Sequence, residues 1–128
     1  MRVLLSIRPA HVDKILSGIK VFEFRRRIFS RNDVDLAVIY CTQPVGMIVG
    51  EFDIAELIKA KPIDLWSITK HGSGITRRYF DAYFLGSSVG YALRIGAVRP
   101  FTRHIHPYDV ISDFTPPQSY RYLYNDIC

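Results

Sequence analysis

Short apolar segments, separated by turn residues and not paired off with helices, constrain this chain's fold more than any other feature. Val3–Ile7, Lys20–Arg26, Asp35–Tyr40, Met47–Ile54, Val89–Ile95 and Val98–Ile105 read as strands, with a turn at Gly96. Between the first two, Pro9 opens a helix whose apolar residues Val12, Ile15, Leu16 and Ile19 recur at helical spacing, with Gly18 as its stop. Residues 55–69 read as helix in two pieces broken at Lys61-Pro62, and Thr76 reads as the N-cap of a helix ended by Gly86. Pro107–Ser112 reads as a helical turn, and Tyr120–Tyr124 as a short helix or strand. Because strands and helices do not alternate, a doubly wound parallel sheet is excluded. The expected class is α+β, mainly β: a small, mostly antiparallel β-barrel flanked by short helices. Gly50 inside its strand predicts a bulge or a close backbone approach.

At 128 residues and 48% hydrophobic content, the chain suits one domain, 1–128, with one core. The Met1–Pro9 start has too short an apolar run for a signal peptide, and no apolar stretch reaches membrane-helix length. Cys41 and Cys128 have no nearby cysteine partner, so a reduced, cytoplasmic setting is expected. The formal charge is +5. Its arginines cluster at Arg25–Arg27 with Arg31, at Arg77-Arg78, and at Arg99 and Arg103 beside His104 and His106. Such clusters suit a polyanion, nucleic acid above all, although a solvated basic surface has the same composition.

Lys20–Arg27 is the segment where function is expected. It reads as an aromatic strand loaded with charge, and strand interiors seldom carry charge unless the charges meet each other or a ligand. Alternation puts Phe22 and Phe24 on one face and Glu23 and Arg25 on the other, with Cα atoms two residues apart separated by roughly 7 Å. The phenylalanines claim the core, which leaves Glu23 and Arg25 facing a groove or solvent. Lys20, just after Gly18, can turn toward the same groove. An exposed Glu23–Arg25 ion pair is the alternative.

Other chemistries find little footing. His11, His71, His104 and His106 form no motif, and no third ligand accompanies the last two, so no metal and no cofactor is expected. No phosphate-binding glycine loop, dinucleotide fingerprint or G-x-S-x-G setting occurs. Tyr79, Phe80, Tyr83 and Phe84 form an aromatic stripe that reads as core. In the tail, Pro116-Pro117-Gln118-Ser119-Tyr120-Arg121-Tyr122, prolines stiffen the backbone and a glutamine can read a base edge. A strap covering one end of the barrel is the plainer reading.

The run Leu5-Ser6-Ile7-Arg8-Pro9, followed by Gly18-x-Lys20-x-x-Glu23-x-Arg25, resembles the signature of the ASCH domain family. Val38-Ile39-Tyr40, Pro44-Val45-Gly46, Ile48–Glu51, Leu65-Trp66, Phe80–Phe84 and Gly90–Ile95 resemble its later pieces. The resemblance implies a PUA-like barrel with a cleft between barrel and helices, lined by the Lys20–Arg25 motif and holding RNA or a modified nucleotide. On that reading Arg25, Arg26 and Arg27 meet phosphate, Lys20 and Glu23 meet base or sugar, and Tyr40 or Tyr91 stacks. The alternative is an enzyme on RNA or a modified nucleoside, an amidohydrolase or ribonuclease, using Lys20 and Glu23. One branch of the family deacetylates N4-acetylcytidine with a lysine, a threonine three residues later and a glutamate in a later loop. Here Lys20 matches, but Glu23 stands at the threonine position and the loop His71–Ile75 has no acid.

Overall fold

In the computed structural model, which describes residues 1–124, six strands form one mixed sheet in the order β2-β5-β4-β3-β1-β6. The strands are β1 (Arg2–Ile7), β2 (Phe22–Arg25), β3 (Leu36–Cys41), β4 (Met47–Ala60), β5 (Gly90–Ile105) and β6 (Tyr120–Leu123). The helices are α1 (Pro9–Leu16), α2 (Pro62–Thr69), α3 (Arg77–Tyr83) and the single turn α4 (Pro107–Val110), with a 3₁₀ turn over Lys70–Gly72. Only β1 and β3 pair in parallel; the other pairings are antiparallel. None of these helices is long and apolar enough to cross a membrane. Cys41 is buried and free, and Cys128 lies outside the described residues.

The expected barrel does not close. The hydrogen-bonding edges of β1 are taken by β3 and by the tail strand β6, so β2 has no partner there and stays at the sheet's edge. A side chain spans the gap instead. Arg25 of β2 donates from Nη2 to the carbonyl of Ser6 on β1 at 3.0 Å, and from Nη1 to the carbonyl of Ser119 before β6 at 3.3 Å.

Two expected breaks are also absent. Residues 55–60 extend β4 rather than begin a helix, because β5 runs long enough to pair them: Leu57 lies opposite Leu93 and Ala60 opposite Gly90. Ile58 and Ala60 then pack beside Leu65 and Phe80, which draws the segment into the sheet. Gly96 is not a turn. β5 passes through it, and register shifts between Phe52 and Ile54 and between Ile54 and Glu56 on β4 absorb the irregularity. A Cβ at Gly96 would sit 3.3 Å from the Asp53 carbonyl, so the glycine lets the strands approach closely. Gly50 behaves as expected, at a register shift and 2.9 Å (virtual Cβ) from the Arg99 carbonyl.

The helices keep their sequence signals. Pro9 opens α1, Val12 and Ile15 are its buried face, and Gly18 adopts φ +84 beyond its end. Thr76 caps α3, its hydroxyl accepting from the Tyr79 amide at 3.1 Å. Three apolar clusters result. The largest joins α1 to β1, β3 and the middle of β4 and β5; Tyr40 belongs to a second with Phe114 and Leu123; Phe22, Phe24, Leu65, Phe80 and Phe84 make the third.

Candidate nucleotide-binding cleft

A cavity of about 250 Å³ opens at the seam that Arg25 spans. Strand β2 brings Glu23, Phe24 and Arg25 to it with Arg26 just past its end, and β1, the turn after it and α1 bring Ser6, Arg8 and His11. Tyr79 and Tyr83 come from α3, Ile75 from the loop before it, and Gln118 from the tail. Lys20 lies at its floor.

Lys20 is only 2% exposed. Its ammonium donates to the Ser73 carbonyl at 2.7 Å and stands 4.7 Å from the centre of the Phe24 ring. Burial, against the attraction of Glu23, pulls its pKa down to about 8. The loop that meets it is held from two sides, since Lys14 donates to the Gly74 carbonyl at 2.9 Å and the Val21 amide to the Gly72 carbonyl at 2.9 Å. That loop presents Lys20 with a backbone carbonyl, not an acid.

Glu23 and Arg25 are 6% and 7% exposed, and Arg25 Nη2 lies 3.1 Å from Glu23 Oε2. The exposed ion pair considered from sequence is therefore replaced by a buried one. Arg25 shares its guanidinium among Glu23, Ser6 and Ser119, which ties it to the framework. Arg26 is exposed, stacks 4.8 Å from the centre of the Tyr83 ring, and has no ion-pair partner among the described residues. Arg8 is likewise exposed and unpaired among them.

Several residues reach the cleft that sequence reasoning passed over. His11 shares a hydrogen bond of 3.1 Å with the Tyr79 hydroxyl, and burial and then Lys20 push its pKa down, so the imidazole is neutral at pH 7. The aromatic stripe of α3 divides: Phe80 and Phe84 are core, whereas Tyr79 and Tyr83 border the cleft. The signal was there in the hydroxyls, since residues four apart share a helix face and the two tyrosines are four apart. Tyr83 donates to the Phe24 carbonyl at 3.2 Å, and burial raises its phenol pKa.

Other candidates lie elsewhere. Tyr40 is 2% exposed in the second apolar cluster, and Tyr91, opposite Arg25 on β5, does not border the cavity. Arg27, His104 and His106 are outside it. Much of the clustered charge is neutralised locally, in pairs of Arg31 with Asp33, Arg77 with Asp81, Arg94 with Glu56, and Arg99 with Glu51 and Asp53. Two buried nitrogens at the cleft wall, His11 Nδ1 and Arg25 Nε, have no hydrogen bond among the described residues. Unpaired buried polar atoms cost stability, and they gather where a fold serves a ligand before itself.

This arrangement has counterparts. The chain is 27% identical over 126 residues to an ASCH domain-containing ribonuclease of Zymomonas mobilis, an alignment covering 94% of this chain and 82% of that protein. The crystal structure of ASCH from Zymomonas mobilis superposes with a TM-score of 0.88 at 27% identity, covering 95% of this chain and 87% of that one. The N-terminal domain of Staphylothermus marinus McrB shares the fold alone, with a TM-score of 0.53 at 12% identity over 87% of this chain and 81% of that one. The ASCH domain model matches residues 5–95, a span that takes in the end of β1, the Gly18–Arg25 motif and the helices α1 to α3. The chain belongs to the ASCH domain family.

Proposed function

We propose that this protein binds RNA and takes one unstacked nucleotide into the cleft. The observation that carries the reading is a single cavity bordered by exposed cations, aromatic rings and buried polar groups. Its volume, about 250 Å³, lies just below the roughly 300–1,000 Å³ of pockets for drug-sized ligands, which suits one base and not a duplex. Arg8 and Arg26 are placed to meet phosphate, Tyr79 and Tyr83 to meet a base or sugar, and Lys20 and Glu23 to supply charge at the floor. The ribonuclease named among the relatives supports an RNA ligand.

Fluorescence anisotropy with end-labelled single-stranded RNA across a salt series tests this. Each lost phosphate contact reduces the slope of log K against log salt by about 0.7, so Arg26→Ala flattens it by roughly that amount. Absence of binding at low salt, or an unchanged slope in the Arg8→Ala, Arg26→Ala double variant, refutes the reading.

A second reading, cleavage of the bound RNA, is favoured by the neutral imidazole and the buried ammonium at one cavity. In that reaction the ribose 2′-oxygen attacks phosphorus as its proton passes to a base, the P–O5′ bond breaks, and the 5′-oxygen leaves as a hydroxyl with a proton taken from water, which gives a 2′,3′-cyclic phosphate. His11, reached through Tyr79, suits the base better than Glu23, whose carboxylate is engaged by Arg25. Lys20 would stabilise the charge building on the phosphoryl oxygens. Cleavage of a 2′-deoxy substrate, or undiminished cleavage by Lys20→Ala, rules this out. Deacetylation of a modified nucleoside gains no support from a loop that offers Lys20 only a carbonyl.

A further inference from the structure

We propose that Gln118 is the base-edge contact of the cleft and decides which nucleobase it takes; the inference rests on the nucleotide reading above. Gln118 lies beyond residue 95, where the family match ends, and so outside the Gly18–Arg25 motif.

The other groups on the cleft wall are poorly suited to reading a base. The rings of Tyr79 and Tyr83 can stack on any base without telling one from another, since their hydroxyls are bonded to His11 and to the Phe24 carbonyl. Arg8 and Arg26 are exposed cations with no ion-pair partner among the described residues, best matched to phosphate. The Lys20 ammonium is occupied by the Ser73 carbonyl, and the Ser6 hydroxyl by the Pro117 carbonyl at 2.6 Å. Glu23 is an acceptor paired with Arg25. Among the described residues, Gln118 is the one carboxamide bordering the cavity, and its side chain has no hydrogen-bond partner among them. A carboxamide presents a donor and an acceptor side by side, the complement of the paired groups on a base edge.

Its backbone is held on both sides. Before it, the Pro117 carbonyl accepts from Ser6 Oγ; after it, the Ser119 carbonyl accepts from the Ser6 amide at 3.3 Å and from Arg25 Nη1 at 3.3 Å. From Tyr120 the chain enters β6 and pairs with β1. An exposed side chain on an anchored backbone loses less freedom on binding than one on a loose tail. The strap thus does more than cover an end of the sheet: it carries a reading group to the seam.

The test measures binding of short single-stranded RNAs, hexamers of adenosine, cytidine or uridine and an abasic ribose-phosphate hexamer, at one fixed low salt. Wild type is compared with Gln118→Leu and Gln118→Glu, each checked for an unchanged thermal transition. Gln118→Leu is expected to weaken base-bearing hexamers about ten-fold and to leave the abasic one unchanged. Gln118→Glu, an acceptor only, is expected to reorder the bases, favouring adenosine and cytidine, whose amino groups donate, over uridine, whose O4 faces the carboxylate. Equal loss for the abasic hexamer, or an unaltered base ranking in both variants, overturns the proposal while leaving RNA binding intact. A wild-type protein that binds none of the hexamers overturns the nucleotide reading itself, and this inference with it.

Discussion

Lys20→Met is expected to stabilise the fold at neutral pH while weakening RNA binding. The lysine pKa falls from 10.5 to about 8 because burial outweighs Glu23. At about 1.4 kcal/mol per unit, holding the charge at pH 7 costs the folded state about 3 kcal/mol relative to a neutral group of the same size. Methionine fills similar space and removes that cost, but leaves the Ser73 carbonyl without its donor, which costs about 1 kcal/mol. The variant therefore gains about 2 kcal/mol at pH 7. The gain depends on pH in a known direction. Between pH 8 and 10.5 the unfolded chain holds this proton and the folded one does not, so wild-type stability rises with pH across that window. By pH 10 only about 1 kcal/mol of the cost remains, and the gap between variant and wild type shrinks by about 2 kcal/mol. Tyr40, Tyr83 and Cys41, whose pKa values burial raises, pull stability down with rising pH in both proteins, so their effect cancels in the difference. Urea denaturation of both proteins from pH 7 to 10 measures it. A difference independent of pH would show that Lys20 does not carry a depressed pKa, and the account of the cleft floor would fail.

Arg25→Leu should cost about 3–5 kcal/mol, because it leaves Glu23 buried without its cation and unties the seam; faster hydrogen exchange of the Tyr120–Leu123 amides would report the untying. Gly74→Ala combines a positive φ of +68 with a Cβ 2.6 Å from that of Lys20, so a loss of about 2 kcal/mol in chemical denaturation is expected together with weaker RNA binding. Phe80→Ala removes the centre of the third apolar cluster and should lower stability by about 3–5 kcal/mol, read as a drop in denaturation midpoint at constant slope. Tyr40→Phe should leave RNA affinity unchanged in the anisotropy assay, since the ring lies in the second apolar cluster away from the cleft.

Local chemistry alone was enough to place much of this molecule. Pro9, Gly18 and Thr76 mark helix ends by rules that involve only neighbouring residues, and the helices begin and end there accordingly. The conflict between charge and strand in Lys20–Arg27 pointed to the cleft, because buried charges demand partners wherever the chain folds. What local pattern could not say was who those partners are. Residues 55–60 carry no signal separating helix from strand until the length of β5 offers them a ladder. Closure of the barrel depended on whether the tail would claim the free edge of β1, a contest between segments more than a hundred residues apart in register, Leu4 with Arg121. The same long-range pairing carries Gln118 to the seam and gives Arg25 the carbonyls it bridges. His11 and Tyr79 meet 68 positions apart, and no spacing rule reaches that far. Sequence by itself determined the helix ends, the central part of most strands, the family motif and the need to satisfy its charges. Only the tertiary structure decided which groups satisfy them, because burial and hydrogen-bond partnership are set by contacts between distant segments.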